Sequence, residues 1–175
     1  MSILSGVFPV VPTPFTANGS IDPAALKPLI DFVIQSGANG LVYPGMASEV
    51  ETLSAEERLT LVQAVGDALN GRLPLIVGAS DADPGRASAR AEEGRAFGAC
   101  AAMIMAPAHC ERDIKSHIAF YSAVAAKTGL PLMLQNAPSP MGAGLNPAEV
   151  AEIANAVSQI RFVKEETLPC GQNIT

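Results

Sequence analysis

Several features that define common protein classes are missing from this 175-residue sequence. No apolar run reaches the roughly 18 residues needed to cross a bilayer, so no transmembrane helix is predicted. The first residues lack a basic segment followed by a long apolar core, which argues against a secretory signal. Lys and Arg are not clustered and the formal net charge is −6, which argues against nucleic-acid binding. The remaining composition, 49% hydrophobic and 16% charged, is typical of a soluble globular protein.

Paired disulfide or metal ligands are also missing. The three cysteines, Cys100, Cys110 and Cys170, are odd in number and show no C-x-x-C spacing. This pattern favours reduced thiols, so we predict a cytoplasmic protein. His109 and His117 have no third ligand at a recognisable spacing, so we predict no metal and no other cofactor.

Apolar and helical segments alternate along the whole sequence. Six short apolar runs, typical of buried strands, begin near residues 6, 40, 74, 102, 132 and 160. The segments between them have helical periodicity, and most open on N-cap signals. The predicted helix starts are Asp22-Pro23, Ser54, Asp83-Pro84, about Arg112, and Asn146-Pro147. Strict βα alternation predicts a parallel sheet, because parallel neighbours need a crossover connection.

Two α/β architectures fit this alternation. A doubly wound open sheet would often carry a Gly-rich phosphate loop after the first strand, and Pro12-Thr13-Pro14-Phe15 is not one. A (β/α)₈ TIM barrel suits the even spacing better, although it typically needs about 250 residues. No composition shift marks a linker, so we expect residues 1–175 to form a single domain.

The run from Gln159 to Glu166 ends in one lysine and two acids. A strand over its apolar part places Lys164 at the C-terminal end, on one face with Ile160 and Phe162. Burial of that face would favour the neutral amine, which is the form that attacks a carbonyl to make a Schiff base. The alternative is a strand-end lysine that reaches solvent.

The segment from Gly45 to Glu49 lies between a predicted strand and a capped helix. Its backbone N–H groups could form a concave anion site, and an ordinary βα loop is the alternative. Ser48 lacks the Gly-x-Ser-x-Gly context of a serine-hydrolase elbow. In a TIM barrel the working groups lie where the strands end, which adds Gln135 and Asn136 to the candidates.

Five short motifs stand along the chain in a specific order and at a specific spacing. They are Gly6-Val7-Phe8-Pro9-Val10-Val11-Pro12-Thr13-Pro14-Phe15, then Gly45-x-x-x-Glu49 with Thr52-Leu53-Ser54-x-Glu56-Glu57-Arg58, Val77-Gly78-Ala79, Asn136-x-Pro138, and Phe162-Val163-Lys164-Glu165. Together they resemble the dihydrodipicolinate synthase and N-acetylneuraminate lyase family, the pyruvate-type class I aldolases. The resemblance covers nearly the whole chain and implies a (β/α)₈ TIM barrel, with about six of its eight βα units in this sequence.

The resemblance also implies the chemistry. Lys164 would be the Schiff-base lysine, condensing with the keto carbon of pyruvate or another 2-keto acid. The amides of Met46 and Ala47 would hold the substrate carboxylate. The imine would act as an electron sink, so that a proton or a carbon fragment at C3 can leave as an enamine forms.

Departures from the family pattern reduce the number of candidate reactions. Members that make dihydrodipicolinate usually have a tyrosine where this chain has Gln135, two threonines where it has Met46 and Ala47, and an arginine where it has Pro140. A phenol and hydroxyls can relay protons, whereas an amide only donates and accepts hydrogen bonds. These departures argue against dihydrodipicolinate synthesis and for the sugar-acid branch of the family.

We therefore predict a Schiff-base lyase, either a dehydratase or an aldolase, that acts on pyruvate or a 2-keto-3-deoxy sugar acid. The predicted catalytic residues are Lys164 and Gln135. The predicted substrate-binding residues are Tyr43, Gly45, Met46, Ala47, Ser48 and Asn136. The alternatives are dihydrodipicolinate synthase proper and a non-catalytic 2-keto-acid-binding relative or truncated fragment. The family resemblance implies a homodimer or homotetramer. The charge pattern and the lack of a long apolar run predict no nucleic-acid or membrane partner.

Overall fold

The computed structural model describes residues 4–174. Residues 1–3 and 175 lie outside this range, and part of the segment judged not to be a secretory signal falls there. The chain packs as two units. The first comprises the chain up to Gly78 together with Glu93–Cys100, and the second comprises Ala79–Glu92 together with the chain from Ala101 onward. A single domain over residues 1–175 stays a prediction. Within residues 4–174, no helix combines the length and the apolar character that a membrane crossing requires.

The first unit contains two helices and two complete strands. They are α1 (Leu26–Gln35), β1 (Leu41–Tyr43), α2 (Ala55–Leu69) and β2 (Leu75–Gly78). Strands β1 and β2 are parallel, with Leu41 paired to Leu75 and Tyr43 to Val77. Every residue of both strands is buried, as expected for parallel strands covered on both faces. Short 3₁₀ turns at Pro23–Ala25, Met46–Ser48 and Val50–Thr52 complete the unit.

The predicted start of α2 is confirmed in atomic detail. Ser54 Oγ accepts a hydrogen bond from Glu57 N at 3.2 Å, and Glu57 Oε2 accepts one from Ser54 N at 2.9 Å. This reciprocal capping box satisfies two backbone donors that the first helical turn leaves unpaired. The helix then buries Leu61, Val62, Val65 and Leu69 along one face.

The first predicted strand, over residues 6–11, is wrong as a regular strand. The segment forms only an isolated parallel bridge between Val10 and Val42. Two hydrogen bonds make this bridge: Val42 N donates to Pro9 O at 2.9 Å, and Val11 N donates to Val42 O at 3.1 Å. The next bonds of a parallel ladder would need N–H groups on Pro9 and Pro44, and proline has none, so the ladder extends in neither direction.

The second unit holds the later βα segments. Its elements are β4 (Leu132–Asn136), β5 (Ile160–Glu165), α4 (Ile114–Ala125), α5 (Pro147–Ala156) and α6 (Cys170–Ile174), with a 3₁₀ turn at Ala108–Cys110. Strand β3 (Ala99–Met105) begins in the first unit and ends in the second, whereas α3 (Pro84–Ala96) begins in the second and ends in the first. The Asn146-Pro147 start is confirmed, with Asn146 Oδ1 capping Glu149 N at 3.0 Å. Helix α4 begins slightly later than predicted, after the N-cap residue Asp113.

Parallel pairing in the second unit sets the geometry around the lysine. Strand β4 pairs with both β3 and β5, and Gln135 stands in register with Met105 on one side and Lys164 on the other. A register shift between Leu132 and Met133 leaves Arg161 without a partner on β4. The burial of β5 nevertheless alternates as the sequence predicted: Ile160 is buried and Phe162 and Lys164 are half-buried, whereas Arg161 and Val163 are exposed.

Candidate active site

The second unit places the predicted lysine beside an acid. Lys164 lies in β5, one residue before its C-terminal end, and its Nζ donates a hydrogen bond to Glu166 Oε1 at 2.8 Å. The amide Nε2 of Gln135 donates to the other oxygen, Glu166 Oε2, at 2.6 Å. One carboxylate therefore joins the two residues that the sequence predicted as catalytic.

The surroundings of Lys164 differ from the apolar interior that was considered. The Lys164 side chain is 30% exposed and that of Glu166 is 26% exposed, so the ion pair is partly desolvated rather than buried. Gln135 is only 2% exposed. The attraction between the two charges is therefore less screened by solvent and salt than at an ion pair on an open surface.

Asn136, predicted to bind substrate, has a fully engaged side chain. Its Nδ2 donates to Leu145 O and to Glu165 Oε2, both at 2.8 Å, and its Oδ1 accepts from Leu145 N at 3.0 Å. The residue is completely buried. Glu165 is also tied to Thr167, whose N donates to Glu165 Oε1 at 2.7 Å. These bonds hold the ends of β4 and β5 and the loop that follows β5.

The first unit contains the loop that was predicted to bind a carboxylate. Gly45 precedes a 3₁₀ turn over Met46–Ser48, in which Ser48 N donates to Gly45 O and Glu49 N donates to Met46 O, both at 2.9 Å. The amides of Met46 and Ala47 open the turn, so they have no acceptor inside it. Within residues 4–174 neither amide has another hydrogen-bond acceptor, and both residues are exposed. Two neighbouring free N–H groups fit the geometry of an anion site.

Ser48 is the last residue of this turn, and its side chain points into the interior. It is completely buried, and its Oγ accepts from Gly45 N at 2.9 Å while donating to Val11 O at 2.6 Å. Thr13 Oγ1 donates to Ser48 O at 2.6 Å. Two hydrogen bonds thus fix the turn to residues 11–13, and the third closes the turn on its own N-cap, which positions the Met46 and Ala47 amides.

Tyr43, the other predicted binding residue, belongs to the same buried cluster. Its OH shares a 2.9 Å hydrogen bond with Thr13 Oγ1, and the side chain has no exposed surface. Burial raises the pKa of the Tyr43 phenol above its usual value, and the Thr13 hydrogen bond opposes this shift. The phenol therefore stays protonated at neutral pH and anchors the cluster.

Two residues of these clusters were missed as site residues. Glu166 was read only as an acid at the end of a strand, although its position two residues after Lys164 is the signal that could have found it. Thr13 was named only within a longer sequence motif, and its contact with Tyr43 joins residues 30 positions apart. In the part of the chain that the structure describes, no three His, Cys, Asp or Glu side chains group closely enough to hold a metal ion.

Comparisons with known proteins extend this picture over nearly the whole chain. A family model described as the dihydrodipicolinate synthetase family matches residues 3–173. Among curated proteins, 4-hydroxy-tetrahydrodipicolinate synthase of Stenotrophomonas maltophilia is 31% identical over 152 residues, or 87% of this chain and 51% of that protein. L-2-keto-3-deoxyarabonate dehydratase of Azospirillum brasilense is 33% identical over 165 residues, or 93% of this chain and 53% of that protein.

A solved structure gives the corresponding match in three dimensions. YagE, a prophage protein of the dihydrodipicolinic acid synthase family from Escherichia coli K12 in complex with pyruvate, has a TM-score of 0.89 and 28% sequence identity. The match covers 99% of this chain and 58% of that one. The predicted fold class is confirmed: the chain is an α/β protein with a parallel sheet, corresponding to part of a TIM barrel. It spans about half the length of the curated relatives it matches, 51% and 53% of the two named above. By its sequence match and its fold, this chain belongs to the dihydrodipicolinate synthetase family.

Proposed function

We propose that this chain acts as a Schiff-base lyase on pyruvate or a 2-keto-3-deoxy sugar acid, with Lys164 as the nucleophile. The observation that carries the proposal is the position of Lys164 near the C-terminal end of β5, in register with Gln135 and 2.8 Å from Glu166. In a TIM barrel this end of a strand is where reacting groups lie. An imine on Lys164 withdraws electrons from C3 of the substrate, which allows a proton or a carbon fragment to leave.

The substrate carboxylate is assigned to the amides of Met46 and Ala47. Both are free of other acceptors within residues 4–174, and a carboxylate is a suitable partner for two neighbouring N–H groups. We assign Ser48 and Asn136 a positioning role, because their side chains are buried and hydrogen-bonded to backbone. We assign Tyr43 the same positioning role, because its OH is hydrogen-bonded to Thr13.

Gln135 favours a sugar acid over aspartate semialdehyde. Its Nε2 must face Glu166, because a carboxylate accepts hydrogen bonds and cannot donate them. The amide oxygen is then oriented away from the carboxylate, and an acceptor in that position suits a substrate hydroxyl. Pro140 supplies no cation for a second carboxylate. The dehydratase of Azospirillum brasilense, named for L-2-keto-3-deoxyarabonate, is among the relatives that support this assignment.

Reductive trapping tests the lysine assignment. Incubating the purified chain with pyruvate and borohydride should add one reduced pyruvate adduct, and peptide mapping should place it on Lys164. Lys164→Arg should form no adduct. Lys115→Arg, which changes an exposed lysine on α4, should label like the wild type. Folded protein that forms no adduct would refute the assignment.

A substrate screen separates the remaining alternatives. Turnover of a 2-keto-3-deoxy acid to a product that has lost water or a carbon fragment supports the lyase. Turnover of pyruvate with aspartate semialdehyde would support dihydrodipicolinate synthase proper. Binding of 2-keto acids without an imine would support a non-catalytic relative.

Location and assembly complete the proposal. We place the protein in the cytoplasm, in keeping with Cys100, Cys110 and Cys170, which are free thiols. We propose a homodimer or homotetramer on the family resemblance, and light scattering of the purified chain would test it.

A further inference from the structure

The carboxylate of Glu166 bridges the two proposed catalytic side chains. Oε1 accepts from Lys164 Nζ at 2.8 Å, and Oε2 accepts from Gln135 Nε2 at 2.6 Å. Gln135 is buried, so this second bond holds the carboxylate in one orientation. The nearest carboxylate in sequence, Glu165, is occupied by Asn136 and Thr167. Glu166 is thus oriented toward the lysine, whereas Glu165 supports the loop.

We propose that Glu166 is the catalytic acid and base of imine formation at Lys164. The inference rests on the proposed function, since it assigns the proton transfers of that same reaction. Imine formation needs a group that takes up and releases protons, and the amide of Gln135 cannot ionise to do this. Glu166 can. Tyr43 does not meet this need, because its buried OH is hydrogen-bonded to Thr13.

The proton transfers balance with Glu166 alone. The carboxylate first takes a proton from the ammonium of Lys164, and the freed nitrogen lone pair forms a bond to C2 of the keto acid. The π pair of the C2=O bond moves to oxygen, which takes the proton from Glu166. Glu166 then takes a second proton from the nitrogen and gives it to the new hydroxyl group.

The C2–O bond breaks in the last step and water leaves, while the nitrogen lone pair forms the C=N bond. Two protons have moved from nitrogen to oxygen, and the product is the protonated imine. Glu166 ends as a carboxylate, as it began. No redox partner or additional reactant is required.

The test measures the rate of imine formation rather than its presence. Pyruvate is mixed with the purified chain, and samples are quenched with borohydride at intervals. The fraction of chain that carries the adduct is measured by intact-mass spectrometry. Glu166→Gln keeps the shape of the side chain but cannot carry the proton, so we expect an initial rate about 100-fold lower. Glu166→Asp should recover part of the rate. Glu152→Gln, on an exposed position of α5, is the matched control and should react like the wild type.

Chemical rescue separates proton transfer from positioning. Adding acetate to Glu166→Ala should raise the rate in proportion to acetate concentration if a carboxylate is needed to move protons. Circular dichroism and thermal unfolding check that each variant is folded. A wild-type rate in Glu166→Gln, or a slow Glu166→Ala that acetate does not rescue, would overturn this role while the Lys164 assignment stands. A folded wild type that forms no adduct would instead refute the proposed function itself, and this inference with it.

Discussion

Replacing Ser48 by alanine tests whether the buried hydroxyl holds the amide turn in place. The change removes the hydrogen bond from Gly45 N at 2.9 Å and the one to Val11 O at 2.6 Å, and it brings no new partner to either backbone group. An unsatisfied buried donor or acceptor costs about 1–3 kcal/mol. Two such groups give an expected loss of about 3 kcal/mol in the free energy of unfolding. For a chain of this length, that corresponds to a decrease in Tm of roughly 6–12 °C.

The assay is urea unfolding at neutral pH, combined with the pyruvate concentration dependence of borohydride trapping. Ser48→Ala should need a higher pyruvate concentration for half-maximal labelling, because a looser turn presents the Met46 and Ala47 amides less well. Ser36→Ala is the control, since its hydroxyl bonds only to Phe32 O on an exposed part of α1's C-terminal end. That variant should change stability by less than about 0.5 kcal/mol. A loss of the same small size in Ser48→Ala, with unchanged labelling, would refute the positioning role.

Two further variants examine the packing of each unit. A Cβ at Gly78 would lie 1.7 Å from Pro44 O, so Gly78→Ala should destabilise the chain by at least about 3 kcal/mol or prevent folding. Gly129→Ala is the control, because a Cβ there meets no atom within 4 Å. Urea unfolding measures both variants, and equal stability would contradict the clash. Burial raises the pKa of Tyr121 well above 10.0. The unfolded phenol therefore ionises first, and stability should fall as pH rises above about 10. Tyr121→Phe removes the 2.9 Å hydrogen bond from the Tyr121 OH to Ile104 O, so this variant should be less stable at neutral pH. Its stability should fall less steeply than that of the wild type as pH rises, and parallel curves of stability against pH would contradict this linkage.

Local patterns were enough to predict most elements of the fold. The capping box at Ser54 and the Asn146-Pro147 start involve residues within one helical turn, so they are visible in sequence. The five complete strands were found from their short apolar runs. The first strand was not predicted correctly, because the apolar run outweighed the missing N–H groups of Pro9 and Pro44. A proline's effect depends on which donors the neighbouring strand needs, and that is a tertiary property.

The sequence by itself determined the βα alternation and the position of Lys164 near a strand end, because periodicity and capping act between near neighbours. Only the tertiary structure decided which groups surround that lysine. Gln135 and Glu166 are 31 positions apart and meet because β4 and β5 pair in a particular register. Ser48 and Val11 are 37 positions apart and share a hydrogen bond in the interior of the first unit. Such contacts depend on how distant segments pack, and one sequence read locally does not contain that information.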